Sequence, residues 1–252
     1  MRALTGELLL AAWEEGTDQH PLTRGLILLS LALPEQSRQE LAQLTIARRD
    51  LLLLSLRELS FGKVLQGFGA CSRCCTHVEF AVPVAALIEH VKSQLGSDLI
   101  AWSEKGMQYQ LRAVTTADLL ATLDVPDTAE AQDLLLKRCL TLSGKSSECE
   151  RLSACEELSD AVTLATETSL VEKFDQLHAA AELGCAVRCP ECSNSEVLDL
   201  DIGHFLWLEV RSAAKRLIAE IHELAWAYGW SENSILRMSP QRRNAYIEML
   251  SA

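Results

Sequence analysis

The chain has 252 residues, 48% hydrophobic and 23% charged, a balance that excludes disordered and fibrous classes and suits one large or two small globular domains. Its 23 Lys and Arg against 35 Asp and Glu leave a formal net charge of −12, which argues against a nucleic-acid binder, because neutralising phosphates takes a basic face. Nine cysteines and an opening Met1–Glu7 without a signal-peptide pattern predict reduced thiols in a cytosol, and the apolar run Gly25 to Leu33 is far short of the roughly 20 residues a bilayer demands, so no membrane segment is expected.

Residues 1–60 read as a helical region. Thr5 is placed to cap a helix running to about Glu15, with Gly16 as its stop. A second helix follows Pro21 and ends before Pro34, and a third segment starts near Ser37. Thr45 then offers its hydroxyl to a Leu-rich helix, Ile46–Leu59, in which Ile46, Leu53 and Leu56 share a face. The charges of that helix, Arg48, Arg49, Asp50, Arg57 and Glu58, read as a solvated or ion-paired surface.

From Gly62 the texture changes. Residues 64–71 read as a strand entering a turn, and residues 76–82 alternate polar and apolar like a strand leaving it, stopped by Pro83. The turn holds Cys71-Ser-Arg-Cys74. A second such turn, Cys189-Pro-Glu-Cys192, lies 115 positions beyond the first, between strand readings at 179–189 and 196–202. Two thiolates at CxxC spacing can grip one ion, and two such turns complete a four-thiolate tetrahedron, the closed geometry of structural zinc. Cys71, Cys74, Cys189 and Cys192 are therefore the candidate ligands and Zn2+ the candidate cofactor. This requires the turns to converge in space. Cys75, His77 and Cys185 lie close enough to replace one ligand, and that alternative stays open. The position after each second cysteine favours a left-handed backbone and often carries Gly; here it holds Cys75 and Ser193, at some conformational cost. Cys139 reads as core, and Cys149 and Cys155 as thiols in or beside a loop.

Residues 84–178 read as a mostly helical insertion. Val84–Leu95 is helical, Met107–Val114 a strand able to join the cysteine sheet, and Thr115 or Thr116 caps a helix through Leu123. Ala129–Leu142 is a stronger helix, Gly144–Ala154 an exposed loop, and Glu156–Leu177 helical again. The C-terminal region, 203–252, reads as a long amphipathic helix ended by Gly229, a short turn of helix capped by Ser231, and a last helix started by Ser239-Pro240. Its Trp207, Trp226 and Trp230, with Arg242 and Arg243, read either as packing between the last helices or as a partner-binding surface, since Trp and Arg dominate interface hot spots. No HExxH, GxSxG, GxGxxG or GxxxxGK[ST] pattern is present, and a closed four-thiolate shell leaves no position for substrate; no enzyme and no small-molecule substrate are expected.

The run Leu51–Gly62, the two cysteine turns, and above all Phe205-Leu-Trp-Leu-Glu209, Glu220–Glu232 and Ile235–Arg243, resemble proteins of contractile phage tails and phage-like injection systems, specifically the T4-type baseplate hub and hub-assembly chaperone family. The resemblance implies structural or assembly work in a baseplate, partners among tail and baseplate proteins, and residence in the bacterial cytoplasm during assembly; whether the chain stays in the finished particle is left open. The alternative is a zinc-ribbon nucleic-acid or transcription-linked module. The expected fold is α+β: mainly helical, with a small antiparallel zinc-ribbon-like sheet built from two distant CxxC hairpins, 61–83 and 179–202, between helical regions at 1–60 and 203–252.

Overall fold

A computed structural model describes residues 1–104, 107–143 and 167–250. The expectations for the Gly144–Ala154 loop, for the start of the Glu156–Leu177 helix, and for Cys149 and Cys155 lie outside the described residues.

The N-terminal region folds as α1 (Glu7–Gly16), α2 (Pro21–Ala32), α3 (Arg38–Ala42) and α4 (Ile46–Phe61). Gly6, at φ 54°, starts α1 in place of a Thr5 side-chain cap. Gly16 does end α1, but as its last helical residue and not in a left-handed cap. It has no Cβ because the ring of Trp207 occupies that space, 2.5 Å from where the atom would sit. The helix α2 begins with Pro21 at its first position, and Ser37 and Glu40 close a capping box on α3. Thr45 precedes α4 without giving its hydroxyl to the helix; its backbone instead bridges to Thr115, and Ile46 N–H donates to the Val114 carbonyl at 3.2 Å.

The long helix α9 (Ile202–Tyr228) lies against α1, α2 and α4. Its N-terminus is set by Asp201, whose carboxylate accepts from His204 N–H at 2.9 Å, so the helix starts before the Gly203 expected from sequence. Leu28, Leu29, Leu53, Leu54, Leu56, Leu206 and Trp207 meet in the main core, joined by Val84 and Val91 of α5 (Val84–Gln94). Burial of this Leu-rich surface is the dominant stabilising term, each fully buried Leu contributing about 1.5–3 kcal/mol.

Four of the five charges on α4 are ion-paired, as the sequence allows, but three of them, Arg49, Asp50 and Arg57, are inside the fold and not on its surface. Arg49 and Asp50 form a buried pair at 2.7 Å, where burial raises the Asp50 carboxyl pKa and Arg49 opposes the rise. Arg57, 3% exposed, forks onto both oxygens of Glu209 on α9 at 2.7 and 3.0 Å and donates to the Gly62 carbonyl at 2.8 Å. One side chain thus ties α4 to α9 and to the turn that leads into the first cysteine hairpin.

Three small antiparallel sheets replace the single sheet expected. The strands β1 (Val64–Ala70) and β2 (His77–Pro83) pair from Val64↔Pro83 to Ala70↔His77. In the insertion β3 (Leu99–Glu104), β4 (Met107–Arg112) and β5 (Leu140–Ser143) make a three-stranded sheet in the order β3-β4-β5. The region expected to be mostly helical therefore carries a sheet beside α6 (Thr116–Ala121), α7 (Thr128–Cys139) and α8 (Glu167–His178). The strand β4 does not join the cysteine hairpins: Trp102 stacks on its cross-strand partner Tyr109 at 5.0 Å, and Leu140 pairs with Leu111, giving this sheet a core of its own. Buried Asp118 locks that core. Burial alone would raise its pKa, but hydrogen bonds from Arg112, Thr115 and Arg138 hold it well below the usual carboxylate range. Cys139 is buried there, as expected of a core residue.

The last hairpin, β6 (Gly184–Arg188) with β7 (Ser195–Asp199), precedes α9, which is followed by α10 (Glu232–Leu236) and α11 (Pro240–Leu250). Gly229, left-handed at φ 65°, ends α9 as the sequence predicts. Among the described residues no helix is long and apolar enough to cross a membrane.

Glu209→Ala strands the buried Arg57 guanidinium and should cost about 3 kcal/mol in urea unfolding, whereas the double replacement Arg57→Met with Glu209→Leu should stay within about 1–2 kcal/mol of wild type or exceed it.

Candidate metal centre

Each cysteine turn is tightened by the same pair of backbone bonds. In the first, Cys71 N–H donates to the Thr76 carbonyl at 2.9 Å and Cys75 N–H returns to the Cys71 carbonyl at 2.9 Å. In the second, Cys189 N–H donates to Asn194 at 2.8 Å and Ser193 N–H to Cys189 at 3.1 Å. This wrapping forces the residue after the second cysteine into the left-handed region. Cys75 at φ 58° and Ser193 at φ 57° are the only non-glycine residues there among those described. Such a conformation costs about 1–2 kcal/mol at a non-glycine position. The cost expected from sequence falls at both positions, and the same turn points both sulfurs of each pair one way.

The two hairpins meet side by side, with β2 against β6. Gly69 lets Leu198 of β7 approach the first hairpin, since a Cβ there would sit 2.5 Å from its methyl. Buried Val78 and Val187 pack beneath Cys71 and Cys189. Glu196 reaches across and accepts from Ser72 N–H at 3.1 and 3.3 Å, and the Ser72 side chain and backbone together lower its pKa. Asn194 donates to Ser72 Oγ at 3.4 Å and points toward Cys71 Sγ at 3.9 Å.

The four sulfurs converge as the spacing requires. Cys71 Sγ lies 3.6 Å from Cys192 Sγ, Cys74 Sγ lies 3.5 Å from Cys189 Sγ, and all four fall within 4.8 Å of one another. Bonds of about 2.3 Å in a tetrahedron put thiolates about 3.8 Å apart, so this set can hold one metal ion. Among the described residues no other group of three or more His, Cys, Asp or Glu is close enough to do so. Cys75 and His77 are exposed and Cys185 is buried in β6, all outside the cluster, so the four cysteines of the CxxC pairs are the ones brought together.

The crowding has an electrostatic consequence. The Thr76 hydroxyl and backbone, with Cys189, bring the Cys74 thiol down to about 6. At Cys192 the Asn194 backbone bond lowers the pKa, but burial and its three cysteine neighbours outweigh it and push the thiol up to about 12. Four thiolates this close repel one another unless a cation sits between them.

The aromatic and basic residues singled out near the C-terminus do not form one surface. Trp207 is buried in the main core beneath Arg24, whose guanidinium lies 4.7 Å from its ring, and Arg243 is buried in a 2.8 Å pair with Glu220. Both hold the fold together, which corrects their reading as partner-binding residues; helical spacing alone does not say which Trp faces inward. Trp230 stacks on Tyr228 at 4.5 Å and meets Tyr246 edge-on, with Arg242 5.8 Å from the Tyr246 ring. Trp226 stands apart, 86% exposed. Sequence reasoning missed the Ser72, Asn194 and Glu196 clamp, whose only signal was a polar run next to each turn.

A family model described as T4 bacteriophage base plate protein matches residues 7–207, a span that takes in both cysteine turns. No curated protein and no solved structure matches the chain.

The purified protein should carry a single tightly bound ion by inductively coupled plasma mass spectrometry, and Cys71→Ser with Cys74→Ser should abolish it and lower the melting temperature. Ser193→Gly, one residue from a ligand, should do the reverse, keeping the ion and adding about 1 kcal/mol by relieving the left-handed backbone.

Proposed function

The chain belongs to the T4 bacteriophage base plate protein family, and from that premise we propose that it is a non-enzymatic assembly factor of a contractile-tail or injection-system baseplate, of the hub-assembly chaperone kind, whose cysteine hairpins are closed by structural zinc. Baseplate membership points to tail and baseplate proteins as partners, and the proposed place of work is the bacterial cytoplasm during assembly.

The observation that carries this reading is that the family match runs from α1 through both cysteine turns into the start of α9 as one stretch. On this reading the cysteine cluster is part of the baseplate-type fold and not an appended module. Zinc suits the donor set: four soft thiolates in a tetrahedron with no redox demand. Filled by four protein ligands, such an ion has no open position for water or substrate, which supports a structural role over a hydrolytic one. The alternative of a nucleic-acid module gains nothing from a net charge of −12.

Deleting the gene from its own cluster should leave sheath and tube proteins expressed but no baseplates in negative-stain micrographs. Mass spectrometry of purified wild-type particles should find the chain absent or far below one copy per baseplate, as a chaperone would be. Normal baseplates in the deletion strain would overturn the assembly role, and stoichiometric retention would turn a chaperone into a resident component. Iron in place of zinc in the purified chain would overturn the cofactor assignment.

A further inference from the structure

Helix α9 turns one face to the core and leaves the opposite face to solvent. On that outer face Leu208, Arg211, Lys215, Ile218 and His222 succeed one another at steps of three and four residues, and Trp226 closes the row. From Leu208 to His222 the steps average about 3.5 residues, the spacing of a seam along which two helices wrap round each other, and Trp226 flanks that seam one place off its register. Its apolar members are unsheltered: Leu208 is 39% exposed, Ile218 40%, and Trp226 shows most of its ring. Single exposed apolar residues are ordinary on a surface, but two of them with a bare Trp, interleaved with bases along one helix face, are not. The two bases in the row are equally uncommitted. Among the described residues neither Arg211 nor Lys215 has an ion-pair or hydrogen-bond partner, although the chain as a whole carries −12. The row begins beyond residue 207, outside the family match, so nothing in that match assigns it.

We infer that the outer face of α9 is a docking seam for an acidic amphipathic α-helix of another baseplate protein. The inference rests on the baseplate-assembly reading and specifies its partner. The chemistry of the occupant follows from the row. It needs apolar side chains against Leu208, Ile218 and Trp226, and Asp or Glu against Arg211 and Lys215, because a base pressed into a seam without a counter-charge is desolvated at a loss. Its length follows too: Leu208 to Trp226 spans about 27 Å, five turns of helix. A second copy docked in parallel would set Arg211 and Lys215 against themselves, a like-charge penalty that works against parallel self-pairing. Nucleic acid would have to approach two bases through the field of a strongly acidic chain.

The test co-expresses the chain with each baseplate protein encoded in its own cluster and measures binding of the purified pairs. A photo-crosslinking residue placed at Ile218 should join one of them through a helix bearing acidic side chains. Arg211→Glu with Lys215→Glu should weaken that pair about 100-fold, roughly tenfold or more per charge. Replacing the two facing acids of the crosslinked helix with Lys should restore it. Trp226→Ala should also weaken it, and because all three side chains are exposed the variants should keep the wild-type circular dichroism and melting temperature. A charge-reversed chain that binds its partner as tightly as wild type would overturn the seam while leaving the assembly role intact. Crosslinking from Ile218 to a second copy or to nucleic acid would overturn it as well. A wild-type chain that binds no baseplate protein would remove the assembly reading and the seam together.

Discussion

Four sulfur atoms have to meet. The hairpins that carry them are two-stranded and short, and a lone two-stranded hairpin is marginal in water. Between them they bury a small apolar interior: Val78, Val187 and the cysteines, with Phe80 and Leu198 packed against them. What sets β1-β2 against β6-β7 is that small apolar interior and the Glu196 and Asn194 bonds to Ser72, and they bring Cys71, Cys74, Cys189 and Cys192 together where one ion would tie the hairpins. The fold accepts two strained residues, Cys75 and Ser193, to aim those sulfurs. Strain placed at the same position in both turns, and at no other non-glycine residue described, marks the geometry that the surroundings enforce.

The helical frame makes that convergence possible. The first hairpin leaves α4 through Gly62, whose carbonyl is held by Arg57, and the second enters α9 through Asp201, which caps it. Since Arg57 also grips Glu209, one guanidinium fixes the exit of one hairpin to the helix that receives the other. A bidentate pair of this kind brings direction as well as energy. The insertion stands on its own three-stranded core and connects back through the Thr45 to Thr115 bridge. The expense of that bridge is visible at the Thr45 hydroxyl, which is buried without a hydrogen-bond partner among the described residues.

The cysteine set was legible because CxxC spacing encodes a local turn whose chemistry needs a second such turn, and that logic does not depend on the 115 positions between them. Helix limits were legible wherever a local signal acts through the backbone, as at Pro21, Ser37, Gly229 and Pro240. They were misread where tertiary contact overrides the signal. Thr45 looks like a cap and serves as a bridge; Gly16 ends α1 as expected, and its second role as clearance for Trp207 has no local signal. The charges of α4 show the same limit, because Arg57 is recognisable as buried only once Glu209, 152 positions away, is placed beside it. The strand β3 was missed because its apolar residues Leu99–Trp102 run on without a polar alternation and none is fully buried, and its partnership with β4 comes from Trp102 meeting Tyr109, which composition does not announce.

The distance in sequence between the two cysteine turns bears on how this protein is made. A ribosome releases the first turn long before the second, so the early pair emerges as two half-ligands without their complement. Until residue 192 has cleared the exit tunnel, neither hairpin has its neighbour and the enclosed insertion remains an open loop. Closing that loop late gives the molecule a built-in sign of completion: a truncated product, however well its leading helices pack, keeps two thiols without the pair that meets them in the finished chain.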